Sequence, residues 1–198
     1  MADIAQLSMD IRAQASALER GELGQRTTRV DCYDLERTDL CRFAVLVVPG
    51  MVDQEYLARH RGVIRGYLDG GGVLMFGGQL HRDWLPGASR FLALDPPSLA
   101  AYRVAEVAEH PIFAGVEADD LTFRRGVAGF FARGHHPPPP GAEVLVRLAG
   151  GQPATYVDRV STGGTILLHA NGDLLDMGGH DGTGARVPGQ LVEWAVRE

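Results

Sequence analysis

The chain has 198 residues, of which 45% are apolar and 22% charged, and a formal net charge of −6 at neutral pH. That length suits one well-buried domain rather than two, and the acidic balance argues against non-specific nucleic-acid binding, which needs Lys and Arg to neutralise phosphates. No apolar run approaches the roughly 20 residues needed to cross a bilayer, and the N-terminus lacks a basic stretch followed by an apolar core, so a cytoplasmic protein with no membrane partner and no leader is expected.

In chain order, Ile4, Leu7, Ile11, Ala15 and Leu18 fall at helical spacing and predict an amphipathic helix at the start. A doubly wound fold would instead place a strand near residues 2–7, but Ala, Gln and Asp are poor strand formers. Residues 29–33 then form a short strand that includes Cys32. The near-continuous apolar run Phe43–Val48 is expected of a parallel strand covered on both faces. It stops at Pro49-Gly50, after which Asp53 reads as an N-cap. Tyr56, Leu57, His60, Val63, Ile64, Tyr67 and Leu68 make one helical stripe that ends at Gly70-Gly71-Gly72. Residues 73–76 form the next buried strand. This strand–helix–strand unit is the strongest structural signal in the chain.

Beyond Trp84 the pattern is strand-rich. Residues 101–107, 121–123 and 127–132 are short strand candidates, and Arg124-Arg125 reads as a solvated rim. His135-His136 followed by Pro137–Pro140 predicts an exposed loop, since proline donates to neither helix nor sheet. Three strands follow at 143–148, 154–157 and 165–169, separated at Gly150-Gly151 and Gly163-Gly164. A Gly-rich loop at 178–184 precedes a closing helix with Pro188 near its first turn and Leu191, Val192, Ala195 and Val196 facing inward. The fold class expected is α/β, in three layers, with a mainly parallel central sheet of flavodoxin or amidotransferase type.

Ligands of open α/β sheets sit beyond the carboxyl ends of the strands. Those ends bring together Gly50, Met51, Gln79, His81, Asp83, His169, Asn171 and Asp173. His81-Arg82-Asp83 offers a base, a cation and a carboxylate within three residues, which suits acid–base work; a capped turn is the plainer alternative. No His-x3-His spacing exists, so no metal is expected, although His180-Asp181 is a local pair that could join His169 or Asp173. The adjacent His135 and His136 point to opposite sides of an extended segment and do not chelate together. Gly77-Gly78 matches neither a phosphate loop nor a dinucleotide fingerprint, and no cofactor is expected. Cys32 and Cys41, the only cysteines, read as reduced thiols, Cys32 in the core.

Three features together resemble the class I glutamine amidotransferase-like superfamily, and within it the ThuA-like and beta-galactosidase-middle-domain branches. They are Val45–Gly50, similar to the strand and turn that supply an oxyanion-hole amide; Gly70–Gly78, similar to the elbow strand and its turn; and His110–Val116, similar to a His-Pro-x-x-x-Gly segment after the elbow. The resemblance spans roughly residues 28–175 in order. It implies Cys-x-Gly-x-Gln at the elbow, where Met75-Phe76-Gly77-Gly78-Gln79 puts Met75 in the place of the nucleophile. A thioether has no ionisable proton and cannot become a thiolate. It also implies His-x-Glu after a late strand, where this chain has His169-Ala170-Asn171. An amide stabilises imidazolium far less than a carboxylate does. The expectation is therefore a non-glutaminase member of the superfamily that binds a small polar ligand or a partner at a vestigial pocket. The alternatives are a hydrolase or isomerase of small polar or carbohydrate-like substrates using His81, Asp83 and His169, and a module for homo-oligomerisation.

Overall fold

The computed structural model describes residues 3–9, 21–124, 127–172, 174–179 and 181–198. Ile11, Ala15 and Leu18 of the expected first helix, Arg125, and the site candidates Asp173 and His180 lie outside the described residues.

The strands are β1 (Ile4–Ser8), β2 (Thr27–Asp31), β3 (Val45–Pro49), β4 (Val73–Gly77), β5 (Leu92–Ala93), β6 (Val104–Val107), β7 (Phe123–Arg124), β8 (Val127–Ala128), β9 (Gly134–His135), β10 (Glu143–Leu148), β11 (Pro153–Asp158) and β12 (Thr165–His169). The helices are α1 (Gly21–Arg26), α2 (Gln54–Arg59), α3 (Arg61–Asp69), α4 (Leu99–Tyr102), α5 (Ala118–Thr122) and α6 (Val187–Arg197). Eight strands form one sheet in the order β2-β1-β3-β4-β12-β11-β10-β6. The first five of that order are mutually parallel, and β11, β10 and β6 extend it antiparallel. The protein is thus an α/β structure built on a mostly parallel sheet.

Period-two alternation divides the apolar residues of the central strands between the two faces. Ile4, Val45, Val47, Val73, Met75 and Leu167 share one core with Leu191, Val192, Trp194 and Ala195 of α6. Ala5, Leu7, Leu46, Val48, Leu74, Phe76, Ile166 and Leu168 share the other with Leu57 of α2 and with Ile64, Tyr67 and Leu68 of α3. Helices therefore cover both faces, which is why the strands read as unbroken apolar runs.

The chain start corrects the helical reading. Residues 4–8 form a strand between β2 and β3, with all five residues buried. Burial on two faces outweighs the weak strand preference of Ala5 and Gln6, and the helical spacing of Ile4 and Leu7 is a coincidence within a strand buried throughout. β2 begins two residues earlier than expected, and Cys32 starts a short 3-10 turn instead of lying within the strand. Asp53 is the expected N-cap, accepting the Tyr56 amide at 3.0 Å. The stripe it opens breaks at His60, whose φ of −107° and ψ of 19° separate α2 from α3. Residues 118–122 are helical and only Phe123 and Arg124 continue as strand, while the strand expected over 127–132 is two residues long.

At the amino rim of the sheet, Gly72 and Gly164 lie backbone to backbone. The Thr165 amide donates to the Gly72 carbonyl at 3.1 Å, and a Cβ on Gly164 would fall 2.2 Å from that same oxygen. No helix among the described residues is long and apolar enough to cross a membrane.

Candidate functional site

The carboxyl ends of β1, β3, β4 and β12 open onto a cleft of about 920 Å³. Each strand gives the wall its next residues: Met9 after β1, Gly50 and Met51 after β3, Gly78 and Gln79 after β4, and Asn171 and Gly172 after β12. The cleft spans the step from β1 to β3, where the order of the sheet reverses direction, the point at which doubly wound sheets leave a crevice. Its floor is main chain, because Gly50 and Gly78 are in direct contact there.

The opposite wall comes from the start of α2 and the loop after β4. Gln54 ties them together. Its amide nitrogen donates to the Gln79 carbonyl at 2.8 Å, and its amide oxygen accepts from the His81 amide at 2.8 Å and the Arg82 amide at 3.3 Å. Glu55 accepts from Arg82 Nε across the same junction. Asp53 accepts from the Tyr33 hydroxyl at 3.2 Å in addition to the Tyr56 amide, and these bonds, the amide first, hold its carboxyl below the usual carboxylate value.

Of the residues expected to meet here, Gly50, Met51, Gly78, Gln79, His81 and Asn171 line the cleft. Met75 does not. It is 4% exposed and packs within the sheet, in register with Val47 and Leu167. The strand runs on to Gly77, so the residue aligned with the amidotransferase nucleophile lies below the turn and within the sheet. Gly77 is likewise buried in the last row of β4.

The three candidate catalytic side chains are not gathered at one point. His81 faces the cleft. Asp83 is exposed, lines neither cavity, and lies 3.9 Å from Arg61 on α3. His169 ends β12, buried, with Nδ1 2.8 Å from the Thr155 hydroxyl and its ring 4.6 Å from that of Phe131. It lines a separate hollow of about 200 Å³ with Phe130, Asn171 and Asp176. Asn171 borders both spaces, and its amide nitrogen is given to the Phe130 carbonyl at 2.6 Å.

The exposed loop expected over His135-His136 and the prolines is corrected at its start, where His135 closes β9. The proline run does form a loop, but His136 is fully buried in front of it. Its Nε2 accepts the Leu80 amide at 3.1 Å, fixing the loop after β4 from beneath, and Phe91 packs edge-on to its ring. Burial, with smaller contributions from His169, His135 and His81, pushes its pKa down to about 3. The ring is therefore neutral, and acceptance at Nε2 leaves the proton on Nδ1.

Neither thiol lines the cleft. Burial, then the carboxylates of Asp53 and Asp31, pushes Cys32 up to about 11, while exposed Cys41 lies beside Gly70–Gly72 at the other rim of the sheet. His110 caps a 3-10 turn by accepting the Ile112 amide at 3.3 Å and packs on Trp194 of α6, so the His-Pro segment lines neither the cleft nor the hollow. Among the described residues, no group of three or more His, Cys, Asp or Glu side chains is placed to hold a metal ion.

No family model matches the chain, and no curated protein matches it. Solved structures do. An exo-beta-1,4-mannosidase from Opitutaceae bacterium strain TAV5 superposes with a TM-score of 0.51 at 12% identity, over 98% of this chain and 35% of that one. A GH42 beta-galactosidase from G. stearothermophilus gives 0.49 at 11% identity, over 100% of this chain and 30% of that one. A beta-galactosidase from the psychrophilic Marinomonas ef1 gives 0.44 at 16% identity, over 99% and 29%. The chain spans about a third of the length of the structures it matches.

Proposed function

We propose that the chain is a non-glutaminase member of the class I glutamine amidotransferase-like superfamily, with a flavodoxin-type sheet, that binds a small polar ligand in the cleft beyond β1, β3 and β4. The observation that carries this reading is the cleft itself. It is open, floored by main chain at the reversal of strand order, walled by polar side chains, and lined by no cysteine. The strand order β2-β1-β3-β4-β12 is the one that doubly wound sheets of flavodoxin type use, which favours the finer fold assignment. Dispersal of His81, Asp83 and His169 weighs against a hydrolase built on those three, since general acid–base work requires them within reach of one reacting atom.

The test is a ligand-observed NMR screen of small polar metabolites against the wild-type chain and a Gln79→Trp variant that puts a bulky ring into the cleft. Compounds that bind the wild type and are lost in the variant support the reading. Ammonia release from glutamine, or binding that the variant leaves untouched, overturns it.

A further inference from the structure

Resting on that reading of the cleft, we propose that its occupant is an uncharged, hydrogen-bonding molecule of polyol or simple amide type with one apolar face, and not a phosphate, carboxylate or nucleotide. The described charged side chains in the wall already have hydrogen-bond partners. Arg82, the one cation lining the cleft among the described residues, donates from Nε to Glu55 and from its terminal nitrogen to the His81 carbonyl at 3.1 Å. The two oxygens of Asp53 accept the Tyr56 amide and the Tyr33 hydroxyl. An entering anion would have to take Arg82 from Glu55 while facing the Asp53 charge, so the balance among the described residues is neutral to negative and repels it.

The groups left over for a ligand are two side-chain amides and an imidazole. Gln79 and His81 are exposed side chains on one wall, and Asn171, having given its nitrogen to Phe130, offers its carbonyl oxygen from the other. Side-chain amides and an imidazole offer hydrogen-bonding nitrogen and oxygen atoms, which match hydroxyl or amide groups on a guest. The remaining surface is apolar. Met9, Val52 and the 73% exposed Met51 border the same space, and an exposed thioether side chain adapts to the flat side of a guest.

The experiment is saturation-transfer NMR at about pH 8, where an ordinary imidazole is uncharged. Three probe sets are used: D-glucose, D-mannitol and N-acetylglucosamine; inorganic phosphate, citrate and AMP; and spermidine. Each is measured at about 50 and 500 mM salt, since screening weakens only the charged complexes. The expected result is signal from the neutral set alone, changed less than about twofold by salt, and reduced about fivefold or more in Gln79→Ala and Asn171→Ala, the loss of one hydrogen bond each. Binding of the phosphate, citrate, AMP or spermidine probes without the neutral ones, weakened by salt, overturns the ligand class and leaves the cleft a binding site. Neutral-probe binding that survives both substitutions lies elsewhere and also overturns it. Silence from all three sets overturns both this inference and the binding reading beneath it.

Discussion

Gly50 and Gly78 meet main chain to main chain at the cleft floor. A Cβ added to Gly78 would lie 2.6 Å from the Gly50 Cα and 2.8 Å from the Phe76 ring, and one added to Gly50 would lie 2.6 Å from the Gly77 carbonyl oxygen. Because the opposing atoms are backbone, the clash can be relieved only by separating β3 from the turn after β4.

Gly78→Ala should therefore cost about 1–3 kcal/mol, the range for overpacking a close contact. Gly50→Ala should cost a similar amount, and the double variant less than the sum of the two, because either methyl alone already forces the strands apart. Urea unfolding of the three variants measures this, and strict additivity would show that the contact is not shared.

Gln54→Ala removes the tie between α2 and the loop after β4. The side chain is partly exposed, so global stability should fall by no more than about 1 kcal/mol. The amides of His81 and Arg82 lose their acceptor and should exchange with solvent faster. Hydrogen exchange at those two amides reads the effect directly; unchanged rates would mean that the loop is held some other way.

Thiol chemistry should separate the cysteines. In the native state a maleimide should modify Cys41 alone, and Cys32 should react only in denaturant, since its thiol is buried and its pKa is raised to about 11. A Met75→Cys variant should add no native reactivity, because that position packs inside the sheet. Rapid labelling at residue 75 would reinstate the elbow alignment.

The pH dependence follows from His136. Its folded pKa, about 3, lies below the ordinary value of 6.5, so the unfolded chain takes up a proton that the folded chain refuses. Stability should therefore fall as pH drops from about 6.5 toward 3, by roughly 1.4 kcal/mol per pH unit from this one group. Replacing His136 with Gln, which keeps an acceptor for the Leu80 amide, should flatten that part of the curve. An unchanged slope would assign the acid sensitivity to other groups.

Much of this frame is legible in the chain. The unit from β3 through α3 to β4 announces itself because its apolar spacing, the Asp53 cap and the glycines at 70–72 agree with one another. Gly50, Gln79, His81 and Asn171 could be placed at the cleft simply by following strand ends. Met75 misled because the motif register put the turn before the strand ended, and a one-row error in a strand carries a side chain from the rim into the sheet. β1 misled because Ala5 and Gln6 become strand only through their neighbours on either side. His136 carried no local signal at all: its partner, Leu80, is 56 residues away.

The seam between Gly72 and Gly164 at the amino rim has a consequence of its own. Together with the glycine contact at the far rim, it bolts the ribbon of β3, β4 and β12 at both ends by atoms that no rotamer can move aside. On heating, that ribbon should be the last part of the molecule to let deuterium in, while the antiparallel wing of β10 and β6 loosens first.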